Sequence, residues 1–417
     1  MKILTTGDWH LGNMFHGNDR LVEHRHFFTW LLDLIEAEHP DALLVAGDVF
    51  DNANPSAAVQ SAYYGFLADA THICPDMQIV ITAGNHDSAS RLEAPRALLS
   101  RYSVEVRGTV CRQWTQTDHG GEWVIDFDDL IIPLASRDDQ RVAVLAVPFL
   151  RTDVVQNTGG YSAGVADFLR RLTARARKLY PEHTLVMMAH MYASGADIAA
   201  SGHSEKILIG GQEEVNIDSW PDHPDYLTCG HIHKRQQIWR TQWARYTGSI
   251  LPMSFAEARY HHGVDILTID APHRVTAGFV EYTPQHPLCV LPEGDELLSP
   301  SRLSKLIDNT LPDRIGGALS EKFVYLTLRV PFDKFSSDRI RQIEALVQKK
   351  DAVLCRIEKQ MPQLDITTID SATTVTSVDD ILNRDPLDTL REAFVARHNT
   401  PMTARQQALL SDMLSSL

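Results

Sequence analysis

Met77-Gln78-Ile79-Val80-Ile81-Thr82-Ala83 runs directly into Gly84-Asn85-His86-Asp87. The apolar, β-branched run predicts a buried strand that ends in a turn. An amide oxygen, an imidazole and a carboxylate then stand side by side at the carboxyl end of that strand, where open α/β sheets carry their ligands. Gly, Asn and Asp are also ordinary turn residues, so the stretch taken alone reads more simply as a structural turn. What changes that reading is that four other polar clusters end similar runs.

The run 3–6 ends at Asp8-Trp9-His10, and 42–46 ends at Gly47-Asp48-Val49-Phe50-Asp51. Further along, 185–189 reaches His190 and 226–229 runs into Gly230-His231-Ile232-His233. Helical spacing separates these runs: Phe27, Leu31, Leu34 and Ile35 lie within 20–38, and further helices are expected over 55–70, 91–101 and 162–180. Strands are also expected at 142–147 and 264–269, the latter closing a domain over 1–275. The alternation predicts a layered α/β fold, two facing mixed sheets with helices outside.

Asp8, His10, Asp48, Asn85, His190, His231 and His233 form a donor set of carboxylates, imidazoles and an amide, with no thiolate. These groups are too many for one tetrahedral zinc. They suit two adjacent octahedral ions sharing one carboxylate, with positions left for water and substrate. Asp8-x-His10 and His231-x-His233 are each spaced by two, which in an extended strand end points both side chains of a pair to one face. Gly47, Gly84 and Gly230 allow the tight backbone that convergence requires.

Composition sets bounds. A chain of 417 residues predicts two or three domains. Its formal net charge of -15 excludes holding nucleic acid by overall charge, so such a role needs metal ions, a local basic patch or a partner. Cys74, Cys111, Cys229, Cys289 and Cys355 are scattered with no Cys-x-x-Cys pair, which suits a reducing compartment and argues against disulfides or a thiolate zinc site. No apolar run reaches membrane-spanning length, and the expectation is a soluble cytoplasmic, nucleoid-associated protein without a membrane partner.

Taken in order, Asp-x-His, Gly-Asp-x-x-Asp, Gly-Asn-His-Asp, a later His and Gly-His-x-His resemble the calcineurin-like metallophosphoesterase superfamily. Asp8-Trp9-His10-Leu11-Gly12, Ala83-Gly84-Asn85-His86-Asp87-Ser88, Tyr246-Thr247-Gly248-Ser249 and Ser254-Phe255 are more closely similar to SbcD-type nuclease subunits within it. Gly7 departs from the usual Ser, and His190 is matched by position in the chain. The resemblance implies two divalent ions, manganese in assays. Asp8, His10, Asp48 and His233 would hold one, and Asp48, Asn85, His190 and His231 the other, with Asp48 as the bridge. It also implies that His86 protonates the leaving alkoxide, its ring oriented and kept charged by the Asp51 carboxylate. Asp87 is expected to fix the turn. Arg20, Ser88, Arg91 and Arg235 are candidate DNA contacts by closeness to the motifs, whereas His16, His24, His26, His72, His203, His261 and His262 are read as structural or surface groups.

After Pro284, Pro287 and Pro292, strands and helices alternate over 300–358, which predicts a small α/β module, 276–358. By resemblance it caps the nuclease face and guides DNA. Residues 359–384 read as a linker. Residues 385–417 read as a helix-loop-helix with Leu387, Leu390 and Phe394 on one face, and a capping box at Thr403 and Gln406. In the resembling family such helices dock on a long coiled-coil ATPase, and the nuclease is a homodimer. Two other readings stand beside a DNA nuclease: a metallophosphoesterase for a small phosphodiester or a phosphoprotein, and a noncatalytic scaffold.

Overall fold

A computed structural model describes residues 1–117, 120–134, 136, 140–155, 159–197, 214–217, 220, 222–238, 241–294, 296–332, 335–360, 402 and 407. The chain divides into two compact units, Met1–Met361 and Pro362–Leu417. The expected helix-loop-helix, and the expected linker beyond Gln360, lie outside the described residues apart from Met402 and Gln407.

Two six-stranded mixed sheets form the larger part of the first unit. In one, the parallel strands Lys2–Thr6, Ala42–Ala46, Gln78–Thr82 and Val104–Arg107 lie side by side, with His262–Ala271 and Arg274–Tyr282 added antiparallel at the Lys2–Thr6 edge. In the other, Val142–Ala146, Thr184–His190, Tyr226–Gly230 and Ala244–Tyr246 are parallel, flanked by antiparallel Ile131–Leu134 and Gln236–Gln237. Both faces of the central strands are apolar, because each is covered. Ala42, Leu44 and Ala46 join Val144, Val186 and Met188 in the core between the sheets. Their neighbours Leu43 and Val45 point the other way, onto Phe27, Leu31, Tyr63 and Phe66 of the outer helices Leu21–Glu38 and Ala57–Ile73. Helix Gly160–Leu179 covers the second sheet through Val165, Phe168, Leu169 and Leu172. This is the layered α/β arrangement expected.

Three differences have local causes. The helix expected over 91–101 is broken into Ala89–Glu93, Arg96–Leu99 and a turn of 3-10 helix, because Pro95 supplies no N–H to an α-helical ladder. The first sheet keeps the chain to Tyr282, past the expected boundary at 275, since Arg274–Tyr282 pairs along the whole of His262–Ala271. The hairpin Arg112–Thr117 and Gly120–Ile125 is not predicted, because its first strand is largely polar and the apolar run of its second, Trp123-Val124-Ile125, is only three residues long.

The later module is a three-stranded parallel sheet, Leu288–Leu291, Val324–Pro331 and Ala352–Gln360, covered by helices Pro300–Thr310 and Ser337–Val347. Leu303, Ile307, Leu326, Leu328, Ile343 and Val347 make its own core. Leu288–Leu291 lies among the prolines that read as a junction, at a sheet edge where proline is tolerated. The module meets the nearer sheet layer at a buried ion pair: Arg20 grips Glu23 at 2.9 and 2.7 Å, and the Tyr325 hydroxyl donates to Glu23 at 3.1 Å.

Candidate metal centre

Every expected ligand sits at the carboxyl end of one of the parallel strands or in the turn after it. Asp8 and His10 follow Lys2–Thr6, Asp48 follows Ala42–Ala46, and Asn85 follows Gln78–Thr82. His190 ends its strand, and His231 and His233 follow Tyr226–Gly230. The two sheets therefore bring their ligand-bearing ends to one place.

Local backbone differs from the extended geometry expected for the spaced pairs. Asp8, His10 and Asp48 have φ of 49°, 46° and 46°, and His231 has 98°. L-residues enter this left-handed region only at a cost of about 1–2 kcal/mol each. The pairs converge because the chain turns sharply after the strand, rather than by strand alternation. Such strain persists where surrounding contacts over-determine it, here the Asp8 N–H to Gly47 carbonyl and His10 N–H to Asp48 carbonyl bonds at 3.1 and 2.9 Å. Asp87, buried, accepts from the N–H groups of Val49, Phe50 and Gly84 at 3.1, 2.9 and 2.8 Å, tying two ligand-bearing turns together.

Asp48 lies between two sets of donors. Its Oδ2 is 3.7 Å from His10 Nε2 and 3.3 Å from His190 Nε2. On one side, His10 Nε2 and His233 Nε2 face each other at 3.1 Å, with the Asp8 carboxylate completing a close group. On the other, Asn85 Oδ1 is 3.0 Å from both His190 Nε2 and His231 Nδ1. Asp8 accepts the His231 N–H at 2.9 Å, which joins the two sides.

These contacts place acceptor against acceptor. His190 Nδ1 donates to the Ala46 carbonyl at 3.0 Å, leaving a lone pair on the Nε2 that faces Asn85 and Asp48. His10 and His233 direct Nδ1 at carboxylates, Asp51 and Glu257, each at 3.4 Å, which leaves their Nε2 lone pairs opposed. A cation removes that repulsion. The electrostatics of the site make the same demand, with a proton standing in for the cation: burial disfavours the charged form of His190, but Asp48 and then Asp8 outweigh it and raise its pKa to about 9. Burial also works against the Asp48 carboxylate, and His190, His10 and His86 hold its pKa far below the usual range. Burial and the charge on His190 push His231 down to about 3. A largely buried set of two carboxylates, an amide oxygen and four imidazoles, whose acceptors face one another and can be reconciled only by added positive charge, fits a pair of divalent ions.

The calcineurin-like phosphoesterase family matches residues 1–235. The SbcD component of the SbcCD nuclease of Rhodobacter capsulatus is 35% identical over 382 residues, covering 89% of this chain and 89% of that one. The chain belongs to the SbcD family of calcineurin-like phosphoesterases. The corresponding SbcD protein of Escherichia coli K12 is 27% identical over 87% of this chain and 86% of its own. That of Bacillus subtilis is 31% identical over 64% of this chain and 66% of its own. As a member of the SbcD family this chain is a phosphodiester hydrolase whose chemistry uses divalent metal ions.

Within this SbcD-family site one assignment needs correction. The Asp51 carboxylate does not hold His86: the His86 ring donates from Nδ1 to the Asp51 main-chain carbonyl at 2.9 Å, while the carboxylate faces His10 and accepts from Asn13 at 3.0 Å. The tight turn that carries Asp51 brings its carbonyl, not its side chain, to His86. The His86 N–H donates to Asp48 Oδ1 at 2.8 Å, and its ring lies 4.8 Å from that of His10.

Two of the four candidate DNA contacts are committed elsewhere. Arg20 is fully buried against Glu23 and the Pro252 carbonyl. Arg235 pairs with buried Asp265 at 2.6 Å and stacks over Phe279 at 4.2 Å. Arg91 remains at the surface, donating to the Ala53 carbonyl and Asn54, and Ser88 begins its short helix. His24 and His262 are buried and bonded to the Trp9 and Ser249 carbonyls, as read from the sequence. Glu257 was missed, because a lone acidic residue far from the ligand motifs carries no pattern.

Proposed function

We propose that this chain is the nuclease subunit of an SbcCD-type complex, hydrolysing DNA phosphodiester bonds as a double-strand exonuclease and single-strand endonuclease in DNA end processing. The observation that carries this is the convergence of the other six donors about Asp48 with His86 beside them. Asp8, His10, Asp48 and His233 would hold one ion and Asp48, Asn85, His190 and His231 the other. Oxygen and nitrogen donors together fit manganese. Bound there, the ions would offset phosphodiester charge and acidify a water.

The chain's own residues position and move the protons. His86, anchored through Nδ1 on the Asp51 carbonyl, presents Nε2 as the atom that delivers a proton to the leaving alkoxide. Asp87 holds the turns that carry Asp48 and Asn85 together, so both keep their places as the substrate's charge arrives. A cleft running from Asn13 past His16 and Phe255 is closed by Arg329 and Arg356 of the three-stranded module. Glu358 lines the same cleft and pairs with both arginines, at 3.9 and 3.3 Å, so one net positive charge remains there; on a chain of net charge -15 this modest local excess supports a cap, residues 276–358, that guides the DNA backbone.

Partners complete the proposal. The helix-loop-helix of 385–417 docks on an SbcC-like coiled-coil ATPase. Two copies of the chain associate, and the exposed apolar side chains Tyr64, Leu98 and Tyr102 make the depression they line a candidate for the contact. The complex works in the cytoplasm on nucleoid DNA, a setting that five free cysteines suit.

Manganese-dependent degradation of linear DNA, compared with hydrolysis of a cyclic nucleotide, tests the activity. DNA cleavage that Asp48→Asn abolishes is expected. Cyclic nucleotide turnover without DNA cleavage would instead establish the small-phosphodiester reading. Leu390→Asp with Phe394→Asp should abolish copurification with the ATPase while sparing single-strand cleavage, and retained binding would refute the docking.

A further inference from the structure

We propose that Glu257 is the positioning residue for His233, and through it for the ion that Asp8, His10, Asp48 and His233 would share. The proposal rests on the ligand assignment above.

Glu257 ends the 3-10 turn Phe255–Glu257 and is fully buried. A carboxylate removed from water needs partners. The Met253 N–H donates to Oε2 at 2.8 Å and the Ser254 hydroxyl to Oε1 at 3.0 Å. Both are neutral donors from its own turn. From across the site His233 faces it, Nδ1 3.4 Å from Oε2, and buried His262 also lies near enough to feel its charge. Capping the turn accounts for the Met253 and Ser254 bonds, but not for aiming a buried anion at an imidazole.

The chemistry of that pairing is specific. A carboxylate at Nδ1 selects the Nδ1–H tautomer of His233, leaves the lone pair on Nε2 and raises the basicity of the ring. Nε2 is the atom that meets His10 Nε2 at 3.1 Å in the donor cluster. His10 has an equivalent, since Asp51 Oδ1 stands 3.4 Å from its Nδ1. Both histidines on this side of Asp48 are therefore backed by acids, whereas His190 on the other side is backed by the Ala46 carbonyl. The turn itself has a fixed base: buried Arg20 donates to the Pro252 carbonyl at 2.6 Å, one residue before Met253.

The test is manganese titration of the full-length, chelator-treated chain by calorimetry, with histidine-selective nitrogen NMR of the metal-free protein. Wild type should take two ions and hold His233 as the Nδ1–H tautomer. Glu257→Ala should weaken one of the two ions about 10–100-fold, leave the other unchanged, and shift His233 toward the Nε2–H tautomer, which loss of a turn cap alone would not do. Glu257→Gln, which keeps an acceptor for Nδ1–H, should weaken the same ion by a smaller factor. Ser254→Ala, which removes only a turn contact, should bind both ions as wild type does. Unchanged affinities in folded Glu257→Ala would overturn the proposal, as would a Ser254→Ala loss equal to that of Glu257→Ala. Where Glu257→Ala does not fold, wild-type affinity in Glu257→Gln overturns it. A wild-type chain that binds no manganese would instead remove the ligand assignment, and the proposal with it.

Discussion

The His86 ring rests on the Asp51 main-chain carbonyl at 2.9 Å, while the Asp51 side chain turns 3.4 Å from His10 Nδ1. One residue thus meets the proposed proton donor, His86, with its backbone and a proposed metal ligand, His10, with its carboxylate. Asp51→Asn keeps the carbonyl. We expect it to lower manganese affinity about tenfold and to leave kcat at saturating manganese within a few-fold of wild type. A collapse of kcat under saturation would show that the carboxylate acts on the proton donor after all.

His86→Ala separates binding from proton delivery. Manganese stoichiometry should stay at the wild-type value while DNA cleavage falls about 10²–10⁴-fold. A DNA substrate whose bridging leaving oxygen is replaced by sulfur expels a thiolate that needs no proton. On it the variant should recover to within about tenfold of wild type, and an equal loss on both substrates would rule out His86 as the acid.

Gly84 has no room for a side chain. A Cβ there would stand 2.1 Å from Asp48 Oδ1 and 2.2 Å from Asp48 N, against backbone as well as the carboxylate proposed to bridge the ions. Gly84→Ala should displace Asp48 and lower cleavage by about 10²-fold or more, with a fall in manganese affinity at both sites. Titration of both ions at wild-type strength would contradict this placement of Asp48.

Glu23 makes the seat of the later module dependent on pH. Burial alone would raise its pKa, but His286 at 3.6 Å and the Arg20 guanidinium outweigh burial and hold it at about 2, against an ordinary 4.5. A carboxyl with a depressed folded pKa contributes stability above its unfolded pKa and loses it as pH falls through the folded one. The contribution is on the order of 3 kcal/mol. Denaturant unfolding of the metal-free chain should therefore show Glu23→Gln less stable than wild type at pH 7, with the gap narrowing as pH falls from 4.5 towards 2. A gap independent of pH across that window would exclude the ionised pair as its source.

Leu98 and Tyr102 are 63% and 61% exposed beside Tyr64, itself exposed, and together they form an apolar surface suited to covering by a second copy. Leu98→Glu with Tyr102→Glu should convert a dimer to a monomer in light scattering, with little change in Tm and none in manganese stoichiometry. A dimer that survives both changes lies elsewhere on the molecule.

Much of the fold was legible because burial leaves a local imprint. Ala42-Leu43-Leu44-Val45-Ala46 is apolar throughout since one face meets the opposite sheet and the other meets helices. The candidate ligands stood out because each ends or follows such a run, so strand ends and polar clusters coincide in the sequence. Short polar strands such as Arg112–Thr117 left no imprint, and Pro95 broke a helix that apolar spacing alone would have continued.

By itself the sequence determined which side chains form the donor set, their chemical type, and the strands that deliver them. Only the tertiary structure decided which of them face one another: that Asp48 lies between His10 and His190, that Asp51 meets His86 through its carbonyl, that Arg20 is spent on Glu23, and that Glu257 stands behind His233. The physical reason is range. A strand's apolar pattern is set by neighbours a few residues away, whereas the partner of a buried charge is set by how two sheets pack, and residues 24 apart such as His233 and Glu257 meet only after they have done so.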